Sequence, residues 1–424
     1  MVNPRDEKIP FAKPFLDREE AEAAKDVVLS GWVTQGPKVD QFETDFSRIT
    51  DAAHSCAVSN CTVALSLALK AVGVSFGNVV VTVSHSFIAT ANAIRHCGAE
   101  PVFADIEPHG FNIDPDQVER ILEEDCEERD DGLFYKEIPR LAVGESPLTF
   151  LDSSSIKNRG RVAALLPVHQ YGMPCDMGRL LEIAKRYRIP VVEDAACALG
   201  SQFSINRDSS WEPIGKPHGQ IACFSFHPRK IITTGEGGML TTGQLEQDKQ
   251  FRLLRHHGMN IPDYKRHNSK EGVLESYLLT GFNFRMTDIQ AAVGIEQLKK
   301  LSCIIENRRN CGQLYKKLLG EISWIQTQEE KPHSRTNWQT FVCTLADDAP
   351  CDRFELMKTL GKKEIASRRS NVNAHEEPPY KPQGWKLPVS ERVVRRGVAL
   401  PMFAGLTEDK VLRCVQVIKE IYGS

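Results

Sequence analysis

A chain of 424 residues suggests two or three domains, enough to bury a sizeable core and enclose a cleft. Its 53 basic and 56 acidic residues leave a formal charge of −3, and the basic ones are scattered. That excludes the electrostatic footprint of a nucleic-acid or anionic-membrane binder and points to small-molecule partners. The N-terminal MVNPRDEKIPFAKPF has charges and prolines where a secretory leader needs an apolar run, and no apolar stretch reaches membrane-spanning length, so the sequence predicts a cytoplasmic protein. Twelve cysteines lie far apart without a C-x-x-C and read as buried reduced thiols; twelve histidines include no H-E-x-x-H, and no metal site is expected.

In chain order, VSNCTVALSLALKAVG (58–73) is an apolar helix opened by small polar residues. Ser59 to Thr62 would offer free N–H groups and hydroxyls at its positive end, as an ordinary N-cap or as an anion site. VVVTVS (79–84) reads as a buried strand, and Phe87 just beyond it is either core or a stacking face for a flat ring. PVFADI (101–106) is a further strand, and residues 123–159 are acidic or polar without a period, which reads as a surface insertion. VAALLPV (162–168), PVVED (190–194), IACFSF (221–226) and GGMLTT (237–242) complete the strand series; between them Met177, Leu180, Leu181, Ala184 and Tyr187 follow Asp176 at helical spacing. Alternating strand and helix predict an α/β fold with a mostly parallel sheet. After about residue 260 longer helices take over, at 287–301 and near 408–422, so 1–260 reads as a large domain and 261–424 as a smaller one.

Ligands of open parallel sheets bind beyond the carboxyl ends of the strands. Asp194 ends one such strand, as a functional acid or as half of a Glu193-Asp194 helix cap. Lys230 follows another; Pro228 stiffens the approach, and TTGEGG lets backbone fold closely around whatever the lysine holds. Neither a P-loop nor a G-x-G-x-x-G after a strand is present. A lysine, an acid, an anion cup and an aromatic together meet the needs of pyridoxal phosphate: an amine for a Schiff base, a carboxylate facing the pyridine nitrogen, and anchors for phosphate and ring.

The segments SGWVTQGPKVDQFE (30–43), SNCTVALSLAL (59–69), SFIATANAI (86–94), PVFADIEP (101–108), LPVHQYGMPCDM (166–177), VVEDAACALGS (191–201), FSFHPRKIITTGEGGM (224–239) and GFNFRMTDIQAA (281–292) run in order along the chain. In them the sequence resembles the DegT/DnrJ/EryC1/StrS sugar aminotransferases, of the fold-type-I pyridoxal-phosphate class. The resemblance implies that Lys230 binds the cofactor and carries the proton, and that Asp194 pairs with the pyridine nitrogen. It also implies phosphate contacts from Ser225, Cys61 and Thr62, ring stacking by Phe87, and a reach of Asn283 into the partner's site in a homodimer. Cys197 stands where many relatives place Gln or His beside the phenolic oxygen. The implied acceptor is a nucleotide-linked keto sugar and the implied donor L-glutamate, with Trp32, Thr34, Arg369 and His375 as candidate substrate contacts. A cyclic ketone such as an inosose is an alternative acceptor. Relatives that dehydrate sugars carry histidine in place of the lysine, whereas this chain has Lys230; a cofactor-binding regulator is the non-enzymatic alternative.

Overall fold

The computed structural model describes residues 7–130, 132–150, 159–205, 210–267 and 274–422. Its main sheet joins a three-stranded and a four-stranded group through the parallel bridges Leu165–Val191 and Val168–Asp194. From edge to edge the order is Glu100–Ala104, Val79–Val83, Val162–Leu166, Val192–Asp194, Ile221–Ser225, Gly238–Thr242 and His54–Val58. Gly238–Thr242 alone runs antiparallel to its neighbours, so the sheet is mostly parallel, as the alternating pattern predicts. All five residues of Val79–Val83 are buried, which explains the unbroken β-branched run: helices cover both faces and no side needs polar residues.

Asn60 caps the helix Cys61–Ala71 by accepting from the Val63 N–H, and Asp176 caps Met177–Tyr187 through Arg179. The strand Ile221–Ser225 is anchored from behind by edge-on aromatic contacts, Phe46 to Phe224 at 5.1 Å and Phe42 to Phe226 at 5.2 Å between ring centroids. Each such pair adds about 0.5–1.5 kcal/mol beyond the area it buries. That anchoring fixes the direction from which the chain enters the Lys230 turn.

A second, antiparallel sheet orders Ile325–Thr327, Phe341–Leu345, Gly397–Leu400 and Arg368–Arg369. Its core also takes Ile9, which bridges Ile365. The helix Asp288–Leu319 links the two cores: it opens on a Thr287/Gln290 capping box, packs on helices Arg18–Ser30 and Pro37–Thr50, and ends against Glu408–Tyr422. At 32 residues it spans about 48 Å.

The 123–159 stretch is not merely a polar surface loop. Cys126–Arg129 and Gly132–Tyr135 form an antiparallel ribbon whose Leu133, Phe134 and Tyr135 are buried, and Arg140 stacks 3.9 Å over the Trp385 ring. Residues 151–158 lie outside the described residues. Among the described residues no helix is long and apolar enough to cross a membrane.

Candidate active site

Asp194 and Cys223 face each other in register on parallel strands, so the chain leaves both strands at one end of the sheet. There Asp194 is buried. Thr90 donates its hydroxyl to Oδ2 at 2.8 Å, and the Ala196 N–H donates to Oδ1 at 3.2 Å. Burial pushes the carboxyl above its ordinary value against these two bonds and the attraction of Lys230. Turns and no helix follow Asp194, so it is not a helix cap.

Lys230 is half-buried, and its amine donates to the Cys197 sulfur at 3.0 Å. Burial draws its ammonium down, while Cys197, Cys61 and Asp194 draw it up, with a net upward shift. The turn that presents it is closed by the Lys230 N–H on the His227 carbonyl at 2.8 Å.

Ser225 pairs with Gly238, and Gly238 brings in the next element. A Cβ on Gly238 would lie 2.5 Å from the Asn60 carbonyl carbon and 2.8 Å from the Cys61 nitrogen. Only glycine lets the start of the helix Cys61–Ala71 come this close to Ser225. Helix N-termini carry partial positive charge and unsatisfied N–H groups, and Ser225 stands beside the helix turn that begins with Cys61 and Thr62. The Ser59 N–H bonds the Phe284 carbonyl at 2.8 Å, which lays the GFNFRM segment alongside.

Phe87 is 63% exposed at the end of its strand, which decides against a core role. Ser86 bonds Thr90 at 2.9 Å, and through Thr90 the loop carrying the ring is tied to Asp194.

Other predicted residues stand differently. Asn283 is exposed, on a backbone bridge to His256. Trp32 donates its indole N–H to the Gln35 carbonyl and lies edge-on to Tyr264 at 5.1 Å. Thr34 accepts the Asp288 N–H through its carbonyl, and the Asp288 carboxylate takes the amides of Gly36, Lys38 and Val39, so this first motif is a turn held by one acid. Arg369 is exposed on the edge strand Arg368–Arg369. His375 is buried, bonded to Ser84 at 2.6 Å and 3.6 Å from Glu391; it braces its loop and offers no open surface.

Sequence reasoning did not single out several buried groups, and it gave Glu193 only as half of a helix cap. His85 is buried between Tyr171 at 3.0 Å and Asn373 at 3.2 Å, and burial brings its pKa down to about 4. Asn373 donates its amide to Glu376, so its Oδ1 faces the His85 Nδ1–H and the Tyr171 hydroxyl donates to Nε2. With the Ser84–His375 pair this bolts the loop at 371–376 to the strand end that carries Phe87. Behind Asp194, Glu193 is buried between His169 at 3.1 Å and His218 at 3.8 Å; burial opposes its charge, but both histidines hold it well below the usual carboxylate range. The HQYG run was the available signal: Tyr171 sits at φ +58, a left-handed conformation rare for a non-glycine residue.

Residues 14–128 and 149–419 match the DegT/DnrJ/EryC1/StrS aminotransferase family. The chain belongs to that family. The unmatched interval, 129–148, falls within the ribbon and the turn that meets Trp385. Among relatives, the chain is 31% identical over 427 residues to the spore coat polysaccharide biosynthesis protein SpsC of Bacillus subtilis, covering 99% of each chain. It is 31% identical over 420 residues to the GDP-perosamine synthase of Caulobacter vibrioides, covering 98% of each. Spr1654 of Streptococcus pneumoniae, solved in a PLP form, superposes with a TM-score of 0.80 at 23% identity, covering 98% of this chain and 99% of that one. That likeness is one of fold, and the fold is that of the fold-type-I aminotransferases.

Proposed function

We propose that this member of the family is a pyridoxal-phosphate-dependent aminotransferase that passes an amino group from L-glutamate to a nucleotide-linked keto sugar, giving an amino sugar. We place it in the cytoplasm as a homodimer with shared sites, built from a cofactor-holding domain of residues 1–260 and a smaller domain of residues 261–424.

Asp194 carries the reading. It is a carboxylate buried at a strand end, braced by Thr90, within electrostatic reach of Lys230 and held above its ordinary pKa by burial. Such a group is costly unless a cation comes to meet it, and a protonated ring nitrogen is that cation. Bound there, pyridoxal phosphate would supply an aldehyde and an electron-accepting ring. The chain's own groups divide the rest. Asp194 would keep the ring nitrogen protonated, and Lys230 Nζ would take up and return the proton that moves between the substrate carbon and the cofactor carbon. Ser225, Cys61 and Thr62 hold the phosphate, and Phe87 covers one face of the ring. Cys197 lies beside the lysine, and Asn283 reaches the partner's site.

The sugar assignment draws on the likeness to GDP-perosamine synthase and to a polysaccharide biosynthesis protein. Trp32, Thr34 and Arg369 are the substrate contacts in this reading, with His375 holding the loop that frames them. Incubation with ¹⁵N-labelled L-glutamate and a panel of nucleotide-linked keto sugars, followed by mass spectrometry, tests it. Label in a nucleotide-linked amino sugar supports it; label only in an amine made from an inosose replaces the sugar; label in neither overturns it.

A further inference from the structure

The amine of Lys230 has one side-chain hydrogen-bond partner among the described residues, the thiol of Cys197. That thiol is built into place. Asn337 donates its side-chain amide to the carbonyls of Cys197 and Leu199, each at 2.8 Å, and its own N–H bonds Ser201 Oγ at 3.0 Å. Gly172, at φ +92, leaves the room this needs, because a Cβ there would collide with Asn337 Oδ1 and stand 3.1 Å from the Cys197 carbonyl. The turn at His227 holds Lys230 from the other side. Backbone on both sides therefore sets where the two side chains start, and the nitrogen and sulfur meet at 3.0 Å.

The choice of a thiol has a chemical consequence. A carboxylate in this place would lock the lysine as ammonium, since their ordinary pKa values lie about six units apart; sulfur is a much weaker hydrogen-bond partner for the amine. The amine therefore leaves it readily. The surroundings hold Lys230 protonated, and an ammonium cannot attack an aldehyde until something nearby takes its proton.

We propose that Cys197 is the positioning residue of Lys230: its sulfur holds the amine and accepts its proton, so that Lys230 meets the cofactor's aldehyde as a neutral amine. The proton passes from Nζ to Sγ, and an ammonium–thiolate pair becomes an amine–thiol pair with no change in net charge. This rests on the cofactor assignment made above.

The test follows cofactor loading and not turnover. Full-length wild type, Cys197→Ala and Cys197→Ser are freed of cofactor, and the visible band regained on adding pyridoxal phosphate is timed from neutral to alkaline pH. Cys197→Ala should load about tenfold more slowly near neutral pH. The deficit should vanish at alkaline pH, where solvent takes the proton. Cys197→Ser, which restores a partner but a poor proton acceptor, should recover part of the rate and keep the altered pH profile. Superimposable profiles for wild type and Cys197→Ala, or a loss equal at every pH, overturn the proposal and leave the cofactor assignment standing. A wild type that gains no band overturns both.

Discussion

Thr90 holds the Asp194 carboxylate by a hydrogen bond of 2.8 Å, and Ser86 holds Thr90 in turn at 2.9 Å. The acid is thereby aimed by the same loop that presents Phe87. Replacing Thr90 with valine keeps the shape and removes the donor. A hydrogen bond to a charged group contributes about 1.5–3 kcal/mol, so Thr90→Val should weaken pyridoxal phosphate binding at least tenfold with unchanged circular dichroism. Unchanged affinity in a fluorescence titration would show that Asp194 is set by its strand alone.

Asp194→Asn separates charge from shape. Turnover should fall about a hundredfold or more while cofactor affinity falls about tenfold, because the lost charge acts mainly on the ring's electronics. Equal losses in both would reduce Asp194 to an anchor. Lys230→Ala should fold normally and transfer no amino group; single-turnover transfer at the wild-type rate would remove Lys230 from the mechanism.

Glu193 makes a prediction about stability and pH. Its folded pKa is lowered, so its contribution is fully present above about pH 4.3 and is lost as the pH falls through the folded value. His218 acts in the opposite sense: burial draws it down, Glu193 and Glu212 push it up further, and its contribution is full below about pH 6.5 and fades as the pH rises through its raised value. Glu193→Gln should cost about 3 kcal/mol near neutral pH and flatten both limbs of the melting-temperature profile. A variant profile parallel to wild type would show that the cluster is held by packing.

The shared-site proposal concerns Asn283. Lys230→Ala and Asn283→Ala subunits should each be impaired alone. Mixed and allowed to exchange, half the dimers become hybrids, and each hybrid holds one site free of both substitutions if Asn283 acts across the interface. Activity should then return to about a quarter of wild type. Activity after mixing no greater than the average of the two variants would place Asn283 at its own subunit's site.

The main sheet was legible because its strands are buried on both faces and bounded by turn residues, so composition alone marks Val79–Val83 and Ile221–Ser225. His54–Val58 escaped notice, being short, polar at its start and flanked by helices. Lys230 and Asp194 stood out as candidates because strand ends concentrate function. What stayed hidden was pairing across large separations. Asp288 holding the turn of Trp32, Ser84 meeting His375 and Asn337 clamping Cys197 each join residues more than a hundred positions apart, and no local period records them. The same limit explains His375, whose loop position suggested a substrate contact while its burial makes it a brace. The ribbon at 126–135 was obscured by charges on its exposed strand, Glu127, Glu128 and Arg129, opposite the buried Leu133, Phe134 and Tyr135.

Whether Lys230 and Asp194 serve one cofactor in one half-reaction is read in the visible absorption spectrum of the full-length protein with pyridoxal phosphate, before and after L-glutamate. Wild type should form a yellow band that L-glutamate bleaches, and Lys230→Ala should form none. No band in wild type even with added pyridoxal phosphate would contradict that joint role.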